Sequence, residues 1–289
     1  MTAKTVAVTG AGGYIGSGLV SRFRAAGWSV LRLSRSGSAD DPDTVEFQLG
    51  EVVEAEVFQS RLVNALVHCA YDFGPRRRED IRRVNVDGSR LLLAAARAGG
   101  VERVAVLSTI SAFQGCRSEY GLAKLEIEAA AAEAGALVVR PGLVFGDARL
   151  DAGGMLGSLA RSAQGGLVPL LDGGAHPQYL VHEEDLFQLL LRYCAGSVAN
   201  PGRPIVAASA RQWPLRDLMA ELARRQGTQP RFLSVPWWPV WVGLWLAELA
   251  HLPVPFRSDS VVSLVYQDGA PDFESLAAAG ITAREFGRG

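Results

Sequence analysis

Cysteine and net charge are both scarce in this sequence, and each scarcity excludes a class of protein. The 289 residues include three cysteines, Cys69, Cys116 and Cys194, which have neither Cys-x-x-Cys nor zinc-ligand spacing. A disulfide framework and a metal site are therefore not expected, and a reduced cytoplasm fits this usage. Lys and Arg total 29 against 30 for Asp and Glu, so no charge excess points to nucleic acid. We expect a small-molecule substrate.

The sequence also lacks an uninterrupted apolar run that could cross a membrane. The nearest approach is the Trp-rich stretch from Pro236 to Pro255, which Pro239, Glu248 and His251 interrupt before the ~20 apolar residues of a span are reached. The pattern predicts a buried or interface helix over 237–252; an interfacial membrane helix is the minor alternative, because the polar face of such helices is missing. No basic and apolar leader precedes the first predicted strand, so a cytoplasmic location is expected.

A glycine-rich turn is the most informative feature that is present. The run Thr5 to Thr9 predicts a buried strand, and a helical pattern follows the turn. Gly10 permits a tight turn, Gly13 lets the main chain approach a pyrophosphate, and Gly16 lets the helix lie close to the strand. An anion would then meet unpaired N–H groups at the positive helix end. A purely structural turn is the alternative. The cofactor-binding candidates here are Gly10, Gly13, Tyr14, Ile15 and Gly16.

Strand and helix patterns alternate through the first half of the chain. Strands are predicted at Thr5 to Thr9, Ser29 to Ser34, Val45 to Gln48, Ala65 to Cys69, Arg103 to Ser108 and Ala136 to Arg140, and helices near Tyr14 to Ala26, Arg78 to Ala98 and Glu119 to Ala134. This alternation predicts an α/β fold with a doubly wound parallel Rossmann sheet, and a ligand beyond the carboxyl ends of its strands. After Gly146 the regular alternation of strand and helix patterns ends. Residues 1–166 are expected to form the dinucleotide-binding domain, with 178–209 returning to it, and 167–289 a smaller, mainly helical substrate-binding lobe.

The end of the second predicted strand favours NADP(H) over NAD(H). Proteins that bind NAD usually place an acid there against the ribose 2′-hydroxyl, whereas an Arg accommodates a 2′-phosphate. This strand ends at Ser34 and Arg35, and no acid follows before Asp40. We therefore expect NADP(H) to be preferred, with NAD(H) possible, and Ser34 and Arg35 to contact the nucleotide. A solvated surface role for Arg35 is the alternative.

A Tyr and a Lys four residues apart are the catalytic candidates. Tyr120 and Lys124 would share one face of a predicted helix, where the Lys charge would lower the phenol pKa. Tyr120 could then take a proton from an alcohol or give one to a carbonyl. The preceding strand ends in the hydroxyls of Ser108 and Thr109, one of which could stabilise a developing alkoxide. Ser111 is a rival to Thr109 for that role.

These motifs together resemble the extended short-chain dehydrogenase/reductases of the epimerase/dehydratase branch. The matching segments, in order, are Thr9-Gly10-x-x-Gly13-x-x-Gly16, Val84-Asn85-Val86-Asp87-Gly88, Ser108-Thr109, Tyr120-x-x-x-Lys124, Arg140-Pro141-Gly142-Leu143-Val144-Phe145-Gly146 and Val181-His182-Glu183-Glu184-Asp185. The resemblance implies that Thr109, Tyr120 and Lys124 are catalytic and that Lys124 and Tyr120 also contact the nicotinamide ribose. It further implies cofactor contacts from Leu49, Cys69, Ala70, Tyr71, Asn85, Ser108, Pro141 and Val144. A plain polar role for Asn85 on its helix is equally open.

The resemblance also implies a function. It predicts hydride transfer to or from a secondary alcohol or ketone, most readily on a nucleotide-linked sugar, with a reductase of small aldehydes or ketones as the alternative. Leu143 stands where sugar-nucleotide enzymes often carry Asn, which weakens the sugar interpretation. Arg211 and Arg257 are the diphosphate candidates, ahead of the run Arg76 to Arg78. A nonenzymatic NADP(H)-binding regulatory or assembly protein is a hypothesis of another class. A homodimer is expected by analogy.

Overall fold

The computed structural model describes residues 4–35, 41–146, 153–252, 254 and 256–287. Its strands are β1 (Thr5–Thr9), β2 (Ser29–Ser34), β3 (Thr44–Glu46), β4 (Val63–His68), β5 (Arg103–Leu107), β6 (Leu137–Pro141), β7 (Leu143–Phe145), β8 (Leu167–Leu171), β9 (Pro177–Gln178), β10 (Leu180–His182), β11 (Ile205–Ala207), β12 (Trp213–Pro214) and β13 (Arg231–Val235). Its α-helices are α1 (Tyr14–Ala25), α2 (Glu56–Gln59), α3 (Arg78–Ile81), α4 (Gly88–Ala98), α5 (Glu119–Glu133), α6 (Gly154–Ser162), α7 (Glu183–Ala195), α8 (Leu215–Arg225), α9 (Trp237–Leu249), α10 (Ser258–Val265) and α11 (Glu274–Ala278). A π-helical turn at Arg82–Asp87 joins α3 to α4, and a 3-10 turn at Asp172–Gly174 follows β8.

Seven strands form one parallel sheet in the order β11-β6-β5-β4-β1-β2-β3. The strand order reverses between β1 and β4, and ligands bind at such a reversal in doubly wound folds. The predicted Rossmann fold is confirmed, together with a helical C-terminal region.

The sheet is covered on both faces because its strands are apolar on both faces. Val6 and Val8 of β1 pack with Leu19 and Phe187 in the layer that contains α1 and α7. Ala7, which points to the other face, packs with the layer that contains α4. The centre of the sheet is therefore rigidly held, and its carboxyl edge is a firm base for a site.

A separate apolar cluster lies in the part of the chain that follows β7. It joins α6, β8, β10 and α8 through residues that include Leu156, Val168, Leu180 and Leu218. Within the same region the chain returns to the main sheet, where β11 pairs with β6. The division at residue 166 stays a prediction. In the part of the chain that the structure describes, no helix is long and apolar enough to cross a membrane.

Candidate active site

The glycine turn lies at the carboxyl end of β1, in the middle of the sheet. Gly10 has a left-handed backbone with φ of 64°. A Cβ on Gly16 would lie 2.2 Å from the carbonyl oxygen of Gly10, so only glycine lets α1 begin this close to the turn. No side chain among the described residues caps the N-terminus of α1, and its first turn carries no acid. These features fit a dinucleotide pyrophosphate.

Tyr14 and Ile15, the first residues of α1, can offer that pyrophosphate their backbone N–H groups. The Tyr14 side chain itself points elsewhere, because its hydroxyl donates to Glu183 Oε2 at 3.2 Å. Burial and this carboxylate raise the pKa of Tyr14 to about 12. The ring also packs against Gly153 and Gly154 at the start of α6. The phenol of Tyr14 therefore joins α1 to α7 and α6.

A buried network behind the turn fixes the ends of β1 and β4. The Thr9 hydroxyl accepts the N–H groups of Cys69 at 3.0 Å and Ala70 at 3.1 Å, and it lies 2.8 Å from His68 Nδ1. His68 Nε2 lies 2.9 Å from the Ser89 hydroxyl, which donates to a backbone carbonyl. Since Thr9 accepts twice and Ser89 donates onward, Thr9 gives its proton to Nδ1 and the ring is protonated at Nε2. Burial lowers the pKa of His68 to about 3, so the ring is neutral.

The same network leads to Asn85, in the π-helical turn. The carbonyl of Asn85 accepts the Ser89 hydroxyl at 2.6 Å. Its side chain pairs with the backbone of Asp72, accepting the N–H at 2.7 Å and donating to the carbonyl at 3.0 Å. The structure therefore places Asn85 as the residue that holds the loop after β4, which includes Tyr71.

Tyr120 and Lys124 face this loop from α5. Tyr120 is partly buried, and the Thr109 hydroxyl lies near enough to the phenol to lower its pKa. Its ring meets Tyr71 edge-on, with centroids 4.9 Å apart, and lies 5.6 Å from Phe73. Lys124 Nζ donates to the carbonyl oxygen of Leu107 at 2.8 Å and lies 5.0 Å from the centre of the Tyr71 ring. Tyr, Thr and Lys are thus gathered at the carboxyl edge of β5.

The pKa values differ from the sequence expectation. Burial raises the pKa of Tyr120 to about 12, and the nearby Thr109 offsets this only in part. The Lys124 ammonium is held by the carbonyl of Leu107 and lies against the face of Tyr71. Burial lowers the pKa of Lys124 to about 8. The structure therefore holds Tyr120 as a neutral acid.

Of the three candidate hydroxyls, that of Thr109 is the one that lowers the pKa of the phenol. The hydroxyl of Ser108 donates instead to the carboxylate of Glu128. The same carboxylate accepts hydrogen bonds from Nε and Nη2 of Arg140 at 2.9 and 2.6 Å. Ser111 gives its backbone N–H to Thr109 Oγ1 at 3.2 Å. Ser108 therefore belongs to a buried ion-pair cluster, and Thr109 is the better placed working hydroxyl.

The C-terminal region reaches the helix of Tyr120 through Asp259, a contact that the sequence did not predict. Asp259 accepts the backbone N–H of Glu119 at 2.6 Å and of Tyr120 at 3.1 Å, while Ser118 caps the N–H of Gly121. These bonds satisfy the first N–H groups of α5 and place a negative charge at its positive end. The available signal was an acid directly after Ser258, but nothing local indicates where that acid points.

Arg257 makes a second contact, between the C-terminal region and the loop after β4. Its Nη1 donates to the carbonyl oxygens of Phe73 at 3.3 Å and Pro75 at 3.0 Å. In the preceding helix, Glu248 of α9 accepts hydrogen bonds from the backbone N–H and the hydroxyl of Ser258, both at 2.8 Å. Helices α9, α10 and α5 are thus joined by carboxylates, each of which holds the beginning of the next helix.

The remaining predicted cofactor residues lie along the same sheet edge. Arg35 is exposed at the end of β2 and makes no ion pair with a described residue, and Ser34 precedes it. Leu49 is 7% exposed and packs beside Gly88. Pro141 ends β6, and Val144 of β7 packs on the main core. The arrangement fits a dinucleotide that runs from β2 to β5.

The residues proposed for a substrate diphosphate are otherwise engaged. Arg211 pairs with Glu285 at 3.5 Å and lies over the ring of Trp213. Arg257 is bonded to the loop carbonyls, and Arg78 pairs with Glu119 at 3.5 Å. His182 caps α7 by accepting the N–H of Glu184, and Asp185 binds Arg284, so both are structural. In the described ranges, no cluster of His, Cys, Asp and Glu could hold a metal.

Comparisons with known proteins agree with this architecture. Ceramide reductase from Caulobacter vibrioides is 27% identical, over 94% of this chain and 87% of that protein. A solved structure of MoeE5 in complex with UDP-glucuronic acid and NAD has a TM-score of 0.67 at 21% identity and covers 94% of this chain and 96% of its own. UDP-glucose 4-epimerase from Thermotoga maritima has a TM-score of 0.65 at 20% identity, over 80% of this chain and 85% of its own. The family model of the NAD dependent epimerase/dehydratase family matches residues 6–207, and the chain belongs to that family of enzymes.

Proposed function

We propose that this protein is an NADP(H)-dependent oxidoreductase that moves a hydride between the nicotinamide and a ketone or secondary alcohol. The observation that carries the proposal is the grouping of Thr109, Tyr120 and the buried Lys124 at the carboxyl end of β5, with Tyr120 and Lys124 both against the ring of Tyr71. The three groups lie where the sheet edge and the loop after β4 meet, next to the glycine turn that fits a pyrophosphate.

The state of these residues favours reduction. A bound nicotinamide would supply the hydride to the carbonyl carbon. The Thr109 hydroxyl donates a hydrogen bond to the carbonyl oxygen, and Tyr120, neutral because of its raised pKa, gives that oxygen its phenolic proton. The phenolate is then reprotonated from solvent. Lys124 lies beside the same residues, with its ammonium against the Tyr71 ring, and can donate hydrogen bonds to the hydroxyls of the nicotinamide ribose.

The preference for NADP(H) rests on Arg35. Its guanidinium is exposed at the carboxyl end of β2, where it can grip a 2′-phosphate through parallel N–H bonds. Asp40, the first acid after the turn, lies outside the described residues. We expect Arg35→Ala to weaken NADPH binding and leave NADH binding unchanged, with Arg90→Ala on α4 as the matched control. Tighter binding of NADH than of NADPH by the unaltered protein would contradict the preference.

Two substrate classes remain candidates. A nucleotide-linked sugar is supported by the family and by the UDP-sugar ligands of the two solved structures named above. A lipid ketone is supported by the name of the full-length relative, ceramide reductase, and by the apolar surroundings of Tyr120. Phe73, 63% exposed, leans over the Tyr120 ring, while Arg211 and Arg257 are engaged in other contacts. The second class therefore fits the described site better.

The experiment that tests the proposal is turnover of a carbonyl panel by wild type, Tyr120→Phe and Thr109→Ala. The panel contains 4-keto nucleotide sugars, long-chain keto lipids and small ketones, with NADPH or NADH. We expect Tyr120→Phe to lose about a hundredfold or more in kcat while its affinity for NADPH is unchanged. Ser111→Ala is the matched control and should keep its activity. Equal turnover by wild type and Tyr120→Phe would refute the assigned acid.

We also propose a cytoplasmic location and a homodimer. Support for the location is that Cys69, Cys116 and Cys194 are free thiols in the structure. Support for the dimer is the outward surface of α4, where Leu91 is 41% exposed. Sedimentation of wild type and Leu91→Glu checks the dimer, which the added charge should weaken.

A further inference from the structure

The helix α9 presents an apolar stripe to solvent. Trp238, Trp245, Leu246 and Leu249 are 60%, 47%, 52% and 64% exposed, and no residue of α9 is buried. Spacings of seven and eleven residues from Trp238 lie close to whole helical turns, and Leu246, eight residues on, lies about 80° around the helix, so the four side chains share one face about 100° wide. Taking about 250 Å² for a Trp side chain, the two indoles alone leave roughly 250 Å² uncovered. Monomers rarely leave such a stripe bare without a partner.

The stripe continues past the end of α9 toward the loop after β4. Leu252 and Phe256 are 54% and 56% exposed. Phe256 precedes Arg257, which is bonded to the backbone of the loop after β4. The single charged residue of α9, Glu248, is turned inward to Ser258 and adds no charge to the outer face. Apart from His251, the exposed side chains from Trp238 to Phe256 are therefore apolar over the described residues.

Basic side chains flank this stripe at its Phe256 end. Arg257 donates to the carbonyl of Pro75, and this contact brings the exposed Arg76 and Arg77 close to Phe256. An apolar stripe with arginines at one margin is complementary to anionic phospholipid, whose headgroups attract the cations while the acyl boundary takes the indoles.

We propose that the outer face of α9, continued by Leu252 and Phe256, docks on the surface of an anionic phospholipid bilayer. The helix lies in the plane of the interface, because none of the described helices is long enough to span. Trp238 and Trp245 insert at the headgroup level, where indoles are favoured. The inner side of α9 packs against α10, whose Asp259 holds the helix of Tyr120, so docking brings the mouth of the site to the lipid surface.

Binding to vesicles tests this surface independently of catalysis. The full-length protein is sedimented with vesicles of phosphatidylcholine alone or mixed with phosphatidylglycerol, and the blue shift of its Trp emission is recorded. We expect binding to the mixed vesicles that salt weakens. The double variant Trp238→Ser/Trp245→Ser should bind about tenfold or more weakly, because two half-exposed indoles no longer transfer to lipid. Arg76→Gln/Arg77→Gln should lose binding only to the anionic vesicles.

Two control variants test whether vesicle binding depends on this stripe. Leu62→Ser removes an apolar side chain that is 79% exposed at the start of β4, on the opposite sheet edge, and should bind like wild type. Tyr120→Phe should also bind like wild type, so loss of turnover and loss of docking are separate results. Circular dichroism confirms that each variant is folded. Absence of sedimentation with the mixed vesicles, or equal binding by the double Trp variant, would overturn the proposal. So would a concentration-dependent dimer that this variant dissociates, since the stripe would then bind a second copy.

Discussion

Replacing Gly16 by Ala tests how closely α1 approaches the phosphate turn. The new methyl group would lie 2.2 Å from the Gly10 carbonyl oxygen, 2.8 Å from its carbon and 3.0 Å from the Ala11 Cα. All three are backbone atoms, which cannot rotate away, so the cost should reach the upper end of overpacking, about 3 kcal/mol. The helix itself gains about 1 kcal/mol from exchanging glycine for alanine. We therefore expect the free energy of unfolding to fall by about 2 kcal/mol.

Urea denaturation followed by circular dichroism measures this loss, and a thermal scan should show the midpoint about 4 to 8 °C lower. Gly12→Ala is the matched control in the same turn. A Cβ at Gly12 meets nothing within 4 Å, so this variant should be as stable as wild type or slightly more stable. If Gly16→Ala unfolds at the same urea concentration as Gly12→Ala, the close approach of helix and turn described above is wrong.

Three further predictions concern the charges around the catalytic helix. Burial lowers the pKa of Lys124 to about 8, so the folded chain releases this proton before the unfolded chain does. Relative to Lys124→Met, wild type should therefore gain stability as the pH rises from about 8 to about 10.5, which urea titrations across that interval measure. Asp259→Asn removes the charge from the N-terminus of the catalytic helix and should cost about 1 kcal/mol of unfolding free energy, with a lower kcat, whereas Asp268→Asn should leave kcat unchanged. Glu128→Gln leaves Arg140 buried without its carboxylate and should cost about 3 kcal/mol, of which the double variant with Arg140→Gln should recover a part in urea denaturation.

The elements that local sequence determines were predictable. β1 and the glycine turn follow from a β-branched run that ends in glycine, and α5 begins one residue after Ser118, a good cap. The helix predicted over 78–98 is interrupted by a π-helical turn, in which Asn85 can reach the loop after β4. No strand was predicted at Ile205–Ala207, because three residues give too short a pattern to recognise.

The site was predictable only in its motif residues. Tyr120, Lys124 and Thr109 come together because successive parallel strands end at one edge of the sheet. The network of Thr9 and His68 joins residues 59 positions apart, and Asp259 meets Tyr120 across 139 positions, so no local pattern indicates either pair. The raised pKa of the Tyr120 phenol could not be predicted from the sequence either, because it depends on burial.

The contact that Asp259 makes with α5 limits how far this enzyme can be shortened. The stretch that the family model matches, 6–207, includes all the motif residues, yet it stops well before the carboxylate that holds the start of the Tyr120 helix. A fragment ending there would keep the whole signature and leave two main-chain donors of that helix bare. The signature by itself is thus an incomplete catalyst, and transplanting it onto another scaffold would require an acid supplied from outside the Rossmann sheet.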